Sequence, residues 1–323
     1  MRGLTPDQRF EFDVRGYVII EDALDAETLA RLQPRLDAFE QLGKRYHAEH
    51  PEIVDQRIDV VYGKQIGLHI QDSGQKLWIF DPLIEDIGLA SFLAANPKVR
   101  PYVEEMVLFP KLGNFTARFQ WQGAESSIHG SRDDISTSPA EGPEAGGHYA
   151  VEAGPAESPR LRTSAFRLMF MLSDIEPGGG ALRIIPGSHK RGVPWQPAGA
   201  PRGPNGNTRF EDLTPKQREN FVELTGKAGT VVIFTHDVIH TSWHETDTYR
   251  RVVHCTYGSG SEAPPPANDD ENEWLQYLLR DGLRQPLPPG VNQNYAEQPL
   301  AGGEKAPTAL GAIPVHSVKQ ARL

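Results

Sequence analysis

The N-terminal third of the chain shows two patterns of apolar residues, one extended and one helical. Residues 16–20 (GYVII) are a short β-branched run, which predicts a strand. Asp25 is then a typical helix N-cap, and apolar residues follow it at three- and four-residue steps, at Leu29, Leu32, Leu36 and Phe39. A second helical pattern covers residues 84–107 and is interrupted at Pro97. We expect these helices to support a sheet, as an N-terminal buttress over residues 1–110.

From Asn114 the pattern changes to short extended runs that are separated by glycine and proline. The runs cover residues 115–121, 126–130, 164–174, 180–188, 229–235 and 250–258. Runs of this length, bounded by glycine and proline, are typical of antiparallel strands. The sequence therefore predicts a mainly β core over residues 111–258 with flanking helices. Two long polar loops, at residues 131–160 and 190–212, are expected to close over a substrate.

The composition favours a single catalytic domain. Of the 323 residues, 38% are hydrophobic and 8% aromatic, which is enough for a sizeable core. The 31 glycines and 27 prolines favour many turns over long helices. We therefore expect one domain over residues 1–258, followed by a proline-rich extension, residues 259–323, in which residues 272–284 have helical periodicity.

Charge and cysteine content exclude several classes of function. The net charge is −10, from 43 acidic and 33 basic side chains, and no segment concentrates basic residues. Nucleic acid is therefore not an expected partner. The single cysteine, Cys255, excludes an internal disulfide and an all-thiolate metal site, so any metal must be held by histidine and carboxylate. Because the sequence has neither a signal-peptide core nor a membrane-spanning run, we expect a cytoplasmic monomer or homodimer that acts on a small molecule.

Candidate chemistry lies at three points of the β region, in a fixed order along the chain. His129 closes the run SSIH, His240 closes GTVVIFTHDVIH, and Arg250 lies on the next extended run. Two imidazoles from separate strands, with the rest of the coordination sphere open, suit a non-haem iron(II) centre. An arginine nearby offers the planar fork that binds the carboxylate of an oxo-acid with two hydrogen bonds.

Four segments of the chain resemble the phytanoyl-CoA dioxygenase family, within residues 8–258. They are FDVRGYVIIEDALDAETLARL, LSDIEPGGGALRIIPGSHKRG, GTVVIFTHDVIHTS and YRRVVHCTY. The resemblance implies a double-stranded β-helix of the jelly-roll or cupin-like type, with iron(II) and 2-oxoglutarate as cofactors and dioxygen as a further substrate. It implies His240 as the second metal ligand and Arg250 as the clamp for 2-oxoglutarate. Arg251 is the alternative clamp, because only one of two neighbouring residues on a strand points inward.

The first metal ligand departs from the pattern of the family, which is histidine, any residue, then aspartate or glutamate. His129 is followed two positions later by Ser131, and the rival His148 by Ala150. We favour His129, because a ligand is positioned better on a strand than in the glycine-rich segment before His148. Tyr149 would then lie in a hairpin that lines the cofactor pocket.

The missing carboxylate leaves three functions open. In the first, Asp133 or Asp134 completes the metal site from the loop, and the enzyme hydroxylates or desaturates its substrate. In the second, chloride occupies the open position, and the enzyme is a halogenase; the halide would restore the negative charge that the carboxylate would have supplied. The third is a cupin-like binding protein without redox chemistry, which would have no use for a buried Arg250. We favour the hydroxylase.

Overall fold

The computed structural model describes residues 4–64, 66–129, 150–152, 160–163, 165–190, 208–259 and 271–279. The strands in these ranges are β1 Tyr17–Ile20, β2 Arg57–Ile58, β3 Gly67–Gln71, β4 Lys76–Phe80, β5 Pro110–Gln120, β6 Glu125–His129, β7 Ala150–Glu152, β8 Arg160–Arg162, β9 Ala165–Met171, β10 Gly179–Ile184, β11 Val222–Leu224, β12 Val231–Thr235, β13 His240–His244 and β14 Arg250–Ser259. The helices are α1 Pro6–Arg15, α2 Ala26–Glu49, α3 Gly88–Phe92, α4 Arg100–Met106, α5 Pro215–Arg218 and α6 Glu271–Leu279.

Local sequence signals set the limits of the first two helices. Thr5 and Gln8 form a reciprocal capping box at the start of α1, where Pro6 occupies the first turn. Gly16 ends the helix with a φ of 80°, a left-handed conformation that glycine adopts without steric cost. The Asp25 carboxylate caps α2 by accepting a hydrogen bond of 2.8 Å from the backbone of Thr28. These signals place β1 between two well-defined helix ends.

Two antiparallel sheets face each other and form a double-stranded β-helix. The main sheet has eight strands in the order β1-β12-β9-β14-β5-β4-β3-β2, and the small sheet has four in the order β11-β10-β13-β6. Buried side chains from both sheets form one cluster between them, which includes Met169, Met171, Val252, Leu182 and Ile184. These apolar side chains close part of the space between the two sheets. Polar residues that face the same space are therefore shielded from bulk water.

The outer face of the main sheet is covered by helices. Its buried residues, among them Leu77, Ile79, Phe115, Phe119 and Val253, form one core with side chains of α2, α3, α4 and α6. Burying an aromatic or aliphatic side chain of this size contributes about 1.5–3 kcal/mol each. The helices therefore stabilise the main sheet from its outer face. They do not cover its inner face, which is available for a functional site.

The structure agrees with most of the expected elements. The predicted strand at residues 16–20 and the Asp25-capped helix are present, and the second helical region is divided into α3 and α4 on either side of Pro97. The six extended runs correspond to β5, β6, β9, β10, β12 and β14. No helix in the described ranges is long and apolar enough to cross a membrane.

Three features differ from the expectations. Strands β2–β4 lie inside the range expected to be helical, and they extend the main sheet. His240 opens β13, because the apolar strand before it ends at Thr235 and a turn follows. Helix α6, inside the expected C-terminal extension, packs into the main core, with Trp274 1% exposed. Most of the two expected substrate loops lies outside the described residues.

Candidate active site

Strand alternation separates β14 into an outer and an inner row. Val253 and Cys255 belong to the outer core under the helices, and Val252 belongs to the cluster between the sheets. Arg250 and His254 have the same parity as Val252, so they lie on the inner face. The inner row of this strand therefore brings a guanidinium and an imidazole into the space between the two sheets.

His240 lies on the small sheet and faces this space from the opposite side. It is 3% exposed, and its ring is 5.2 Å from the ring of Phe234, centroid to centroid. Its Nδ1 is 2.8 Å from the carbonyl oxygen of Val238. Since a carbonyl can only accept, Nδ1 carries the proton and donates. Nε2 therefore holds the lone pair, which is the arrangement of a histidine that binds a metal.

The backbone of His129 is adjacent to His240. His129 is the last residue of β6, and its Cα partner across the β6–β13 pair is His240. The other expected groups of the metal site, Asp133, Asp134 and His148, lie outside the described residues, as does Tyr149. Among the side chains that the structure describes, no three of His, Cys, Asp or Glu are grouped as a metal site. The described part of the site thus consists of His240 and the neighbouring backbone position of His129.

Arg250 is a buried cation with neutral partners. Its side chain is 2% exposed, and its guanidinium donates to Oε1 of Gln120 and lies 3.2 Å from Sδ of Met169. Burial lowers the pKa of Arg250 to about 9, and no carboxylate in the described part of the chain offsets this. A buried guanidinium is costly unless an anion pairs with it. The surroundings of Arg250 therefore fit the distal carboxylate of 2-oxoglutarate.

Arg251 points to the other side of the sheet. Its guanidinium donates to Asp37 at 2.6 Å and Glu40 at 2.7 Å, both on α2, and its Nε donates to the Tyr249 hydroxyl at 2.8 Å. Burial lowers the pKa of Arg251, but Tyr249 and the two carboxylates outweigh it and raise the pKa. Arg250, and not Arg251, therefore lies on the inner face of the main sheet, opposite His240 on the small sheet.

Further polar residues of the inner face were not found from the sequence. His254 is 4% exposed and lies two positions beyond Val252 on the same row as Arg250. Lys76 on β4 is buried and donates to the backbone carbonyl of Glu125 at 2.7 Å. Simple alternation from Arg250 would have identified His254. Lys76 required knowledge of how β4 pairs with β5, which a single sequence does not contain.

Solved structures with the same fold contain a metal ion and 2-oxoglutarate. HygX from Streptomyces hygroscopicus, with nickel and 2-oxoglutarate bound, matches with a TM-score of 0.53 at 16% identity, over 81% of this chain and 89% of that chain. The HygX structure with nickel, 2-oxoglutarate and hygromycin B bound matches with a TM-score of 0.51 at 14% identity, over 80% of this chain and 89% of that chain. At these identities the likeness shows the fold.

The jelly-roll sheets are the fold of iron(II)- and 2-oxoglutarate-dependent oxygenases, and the positions of His240 on the small sheet and the buried Arg250 on the main sheet agree with that class. The model of the phytanoyl-CoA dioxygenase family matches residues 12–252. A phytanoyl-CoA dioxygenase of Arabidopsis thaliana is 26% identical over 286 residues, which are 84% of this chain and 94% of that protein. The chain belongs to the phytanoyl-CoA dioxygenase family, and its cofactors are iron(II) and 2-oxoglutarate. The expectation of a redox enzyme is confirmed over that of a binding protein.

Proposed function

We propose that this enzyme hydroxylates an unactivated C–H bond of a small-molecule metabolite, while 2-oxoglutarate and dioxygen are converted to succinate and carbon dioxide. The observation that carries the proposal is that His240 and Arg250 face the same space between the two sheets. His240 offers the lone pair of Nε2, and the buried guanidinium of Arg250 has neutral partners. One group suits a metal and the other suits a carboxylate, as a metal-chelating oxo-acid requires.

Each residue has a distinct role in this proposal. His240 and His129 bind the iron, and their pairing on adjacent strands supports His129 over His148 as the first ligand. Asp133, four positions after His129 in the sequence, is the third ligand in this proposal. Arg250 binds the far carboxylate of 2-oxoglutarate and thereby sets the direction in which the oxo-acid reaches the metal.

The protein contributes position and exclusion of water. Bound iron(II) supplies the redox chemistry, which no side chain of the inner face can provide. The Val238 carbonyl holds the ring of His240 in one tautomer, and Phe234 packs against that ring from the main sheet. The apolar cluster between the sheets keeps bulk water from the buried end of the site, where Arg250 lies.

The role of His240 is tested by His240→Ala. We expect the variant to lose bound iron and 2-oxoglutarate turnover, because the remaining histidine and one carboxylate hold the metal weakly. Metal content by elemental analysis and succinate formation give the two readouts. His50→Ala is the matched control, since the side chain of His50 is 42% exposed. Wild-type iron content and turnover in His240→Ala would remove the central assignment.

The residue sequence His129-Gly130-Ser131 favours a second candidate, a halogenase, because no carboxylate stands two positions after the histidine. Here chloride takes the position that Asp133 takes in the hydroxylase. Asp133→Ala separates the two, with Asp134→Ala as its neighbour control. The hydroxylase predicts loss of iron and activity in Asp133→Ala. The halogenase predicts a mild effect, a chloride-dependent change of the visible charge-transfer band, and chlorinated product.

A further inference from the structure

His254 is a buried histidine on the inner row of β14, the row that also carries Arg250 and Val252. It is 4% exposed, and neither Nδ1 nor Nε2 has a hydrogen-bond partner among the residues that the structure describes. Buried polar groups are almost always hydrogen-bonded, so a bound ligand or water is expected at this ring. The position of the ring between the candidate metal ligand and the candidate clamp favours a ligand.

The ring of His254 is neutral in these surroundings. Burial lowers its pKa far below the ordinary value, and the positive charges of Arg118 on β5, Arg250 and Arg167 on β9 lower it further. A neutral imidazole has one N–H donor and adds no charge of its own. A carboxylate oxygen is an acceptor that forms a strong hydrogen bond with such a donor. His254 therefore suits an acid as its partner.

Along the main sheet, His254 lies between the levels of Arg250 and His240. On β14 it is four residues beyond Arg250. Across β9, the level of His254 corresponds to that of Val232 on β12, and Phe234 lies two residues further in the direction away from Arg250. The ring of Phe234 packs against the ring of His240. A molecule that extends from the metal ligand to the clamp therefore passes the level of His254.

The guanidinium of Arg250 extends along the inner face toward His254. Its Nη2 lies 3.2 Å from Sδ of Met169, and Met169 is the Cα partner of His254 across the β9–β14 pair. Paired residues of neighbouring strands are about 4.5–5.5 Å apart. A thioether is only a weak acceptor, and Nε of Arg250 has no partner in the described part of the chain. Donors of both side chains are thus available on the same part of the inner face.

We propose that His254 donates a hydrogen bond to the far carboxylate of 2-oxoglutarate and, together with Arg250, forms the site that binds this carboxylate. The inference rests on the proposed function, in which Arg250 binds the same group. A carboxylate accepts several hydrogen bonds, so the guanidinium and the imidazole can bind it from two directions. Two contacts fix both the direction of the acid and its distance from the metal, which a single clamp leaves free.

The test compares two oxo-acids that differ only at the far end. The protein is loaded with nickel(II), which does not turn over, and is titrated by calorimetry with 2-oxoglutarate and with 2-oxopentanoate, which has a methyl group in place of the far carboxylate. In His254→Leu, we expect the Kd for 2-oxoglutarate to rise at least about tenfold, because a charge-assisted hydrogen bond is lost. The Kd for 2-oxopentanoate should stay within about twofold of wild type, because its contacts with the metal are unchanged.

Two kinds of control variant accompany this measurement. His254→Asn and His254→Gln each keep an N–H donor, near the positions of Nδ1 and Nε2, and one of them should bind 2-oxoglutarate at least about threefold more tightly than His254→Leu does. His69→Leu is the matched substitution elsewhere on the main sheet. His69 is half-buried on β3, which β4 and β5 separate from β14, so this variant should keep the Kd for 2-oxoglutarate within about twofold of wild type.

Ligand-free stability separates a binding role from a structural one. His254→Leu replaces a buried polar ring, which has no hydrogen-bond partner among the described residues, with an apolar side chain. Without ligand, its midpoint of urea unfolding should therefore equal or exceed that of wild type. If the variant instead unfolds at a clearly lower urea concentration and binds both oxo-acids weakly, the ring has a structural role and the proposal is wrong.

Arg250→Gln, measured alongside, separates this proposal from the proposed function. If Arg250→Gln weakens 2-oxoglutarate binding and His254→Leu leaves the Kd within about twofold of wild type, the ring has another partner, such as water, and only the inference about His254 fails. If neither variant changes the Kd, the clamp in the proposed function is assigned wrongly as well. If His254→Leu alone weakens 2-oxoglutarate, the role of His254 stands and the assignment of Arg250 fails.

Discussion

Arg250 and Arg251 are neighbours on one strand, yet they lie in opposite electrostatic surroundings. Arg251 donates to Asp37 and Glu40 on the outer face, and both partners are carboxylates from α2. Arg250, on the inner face, contacts an amide oxygen and a thioether sulfur. Both side chains are almost fully buried, with exposures of 2% for Arg250 and 6% for Arg251.

The difference is between a cation that is paired with carboxylates of the protein and one whose described partners are neutral. Arg251 has its counter-charges within the protein, so its ion pairs fasten α2 to β14. Arg250 retains a desolvation cost that a bound anion would relieve, and its pKa is lowered accordingly. Burial alone would not have distinguished the two residues. The sign of the surrounding charge does.

The largest expected effect is on the binding of 2-oxoglutarate. Arg250→Gln should raise the Kd for 2-oxoglutarate by at least about 100-fold, equivalent to about 3 kcal/mol, because a buried charged pair is lost. Arg250→Lys keeps the charge but not the two-pronged geometry, and should still weaken binding by about tenfold or more. Calorimetric titration of the nickel(II)-loaded protein measures both.

Arg251 provides the control for this prediction. Arg251→Lys should leave the Kd for 2-oxoglutarate within about threefold of wild type, since its side chain lies on the other face of the sheet. If Arg251→Lys shows the large effect and Arg250→Lys does not, the comparison of the two arginines is reversed and the clamp is Arg251.

A second effect, on stability, should be ordered the other way, with the larger loss in the Arg251 variant. Arg251→Gln leaves Glu40 buried with fewer partners, and should lower the free energy of unfolding by about 2–3 kcal/mol. Arg250→Gln removes a buried guanidinium that has no carboxylate partner among the residues that the structure describes. In the ligand-free protein it should lower the free energy of unfolding by less than about 1 kcal/mol, or raise it. Urea unfolding of both variants gives the comparison. A larger loss in Arg250→Gln than in Arg251→Gln would contradict it.

The sequence predicted the main parts of this arrangement and missed those that depend on pairing between distant strands. His240 and Arg250 were identifiable because each follows or lies in a clear apolar strand, and the family resemblance ordered them. The choice between Arg250 and Arg251 stayed open, since alternation gives two faces without saying which is inner. Only the packing of Val253 under the helices settles the parity.

The cations beyond Arg250 were harder to find. Arg118 and Arg167 are separated by 49 residues in the sequence, and they share a face because β14 pairs with both of their strands. Strands β3 and β4 were not predicted, although their buried apolar residues Leu68, Ile70, Leu77 and Ile79 recur at every second position, as in a half-buried strand.

The smallest expected effect concerns Lys76, a buried cation on the inner face of the main sheet. Burial lowers the pKa of Lys76 to about 7, Asp72 and Glu125 oppose this, and Arg118 and Arg250 add to it. Between pH 7 and 10 the unfolded chain keeps a proton that the folded protein releases, so this lysine makes stability rise with pH. Lys76→Met should therefore flatten the rise by about 2 kcal/mol between pH 7 and 9, measured by urea unfolding, whereas Lys227→Met, which changes a lysine 73% exposed, should not. If the pH dependence of Lys76→Met equals that of wild type, Lys76 stays protonated in the folded protein, and the inner face holds one more charge for an anion to offset.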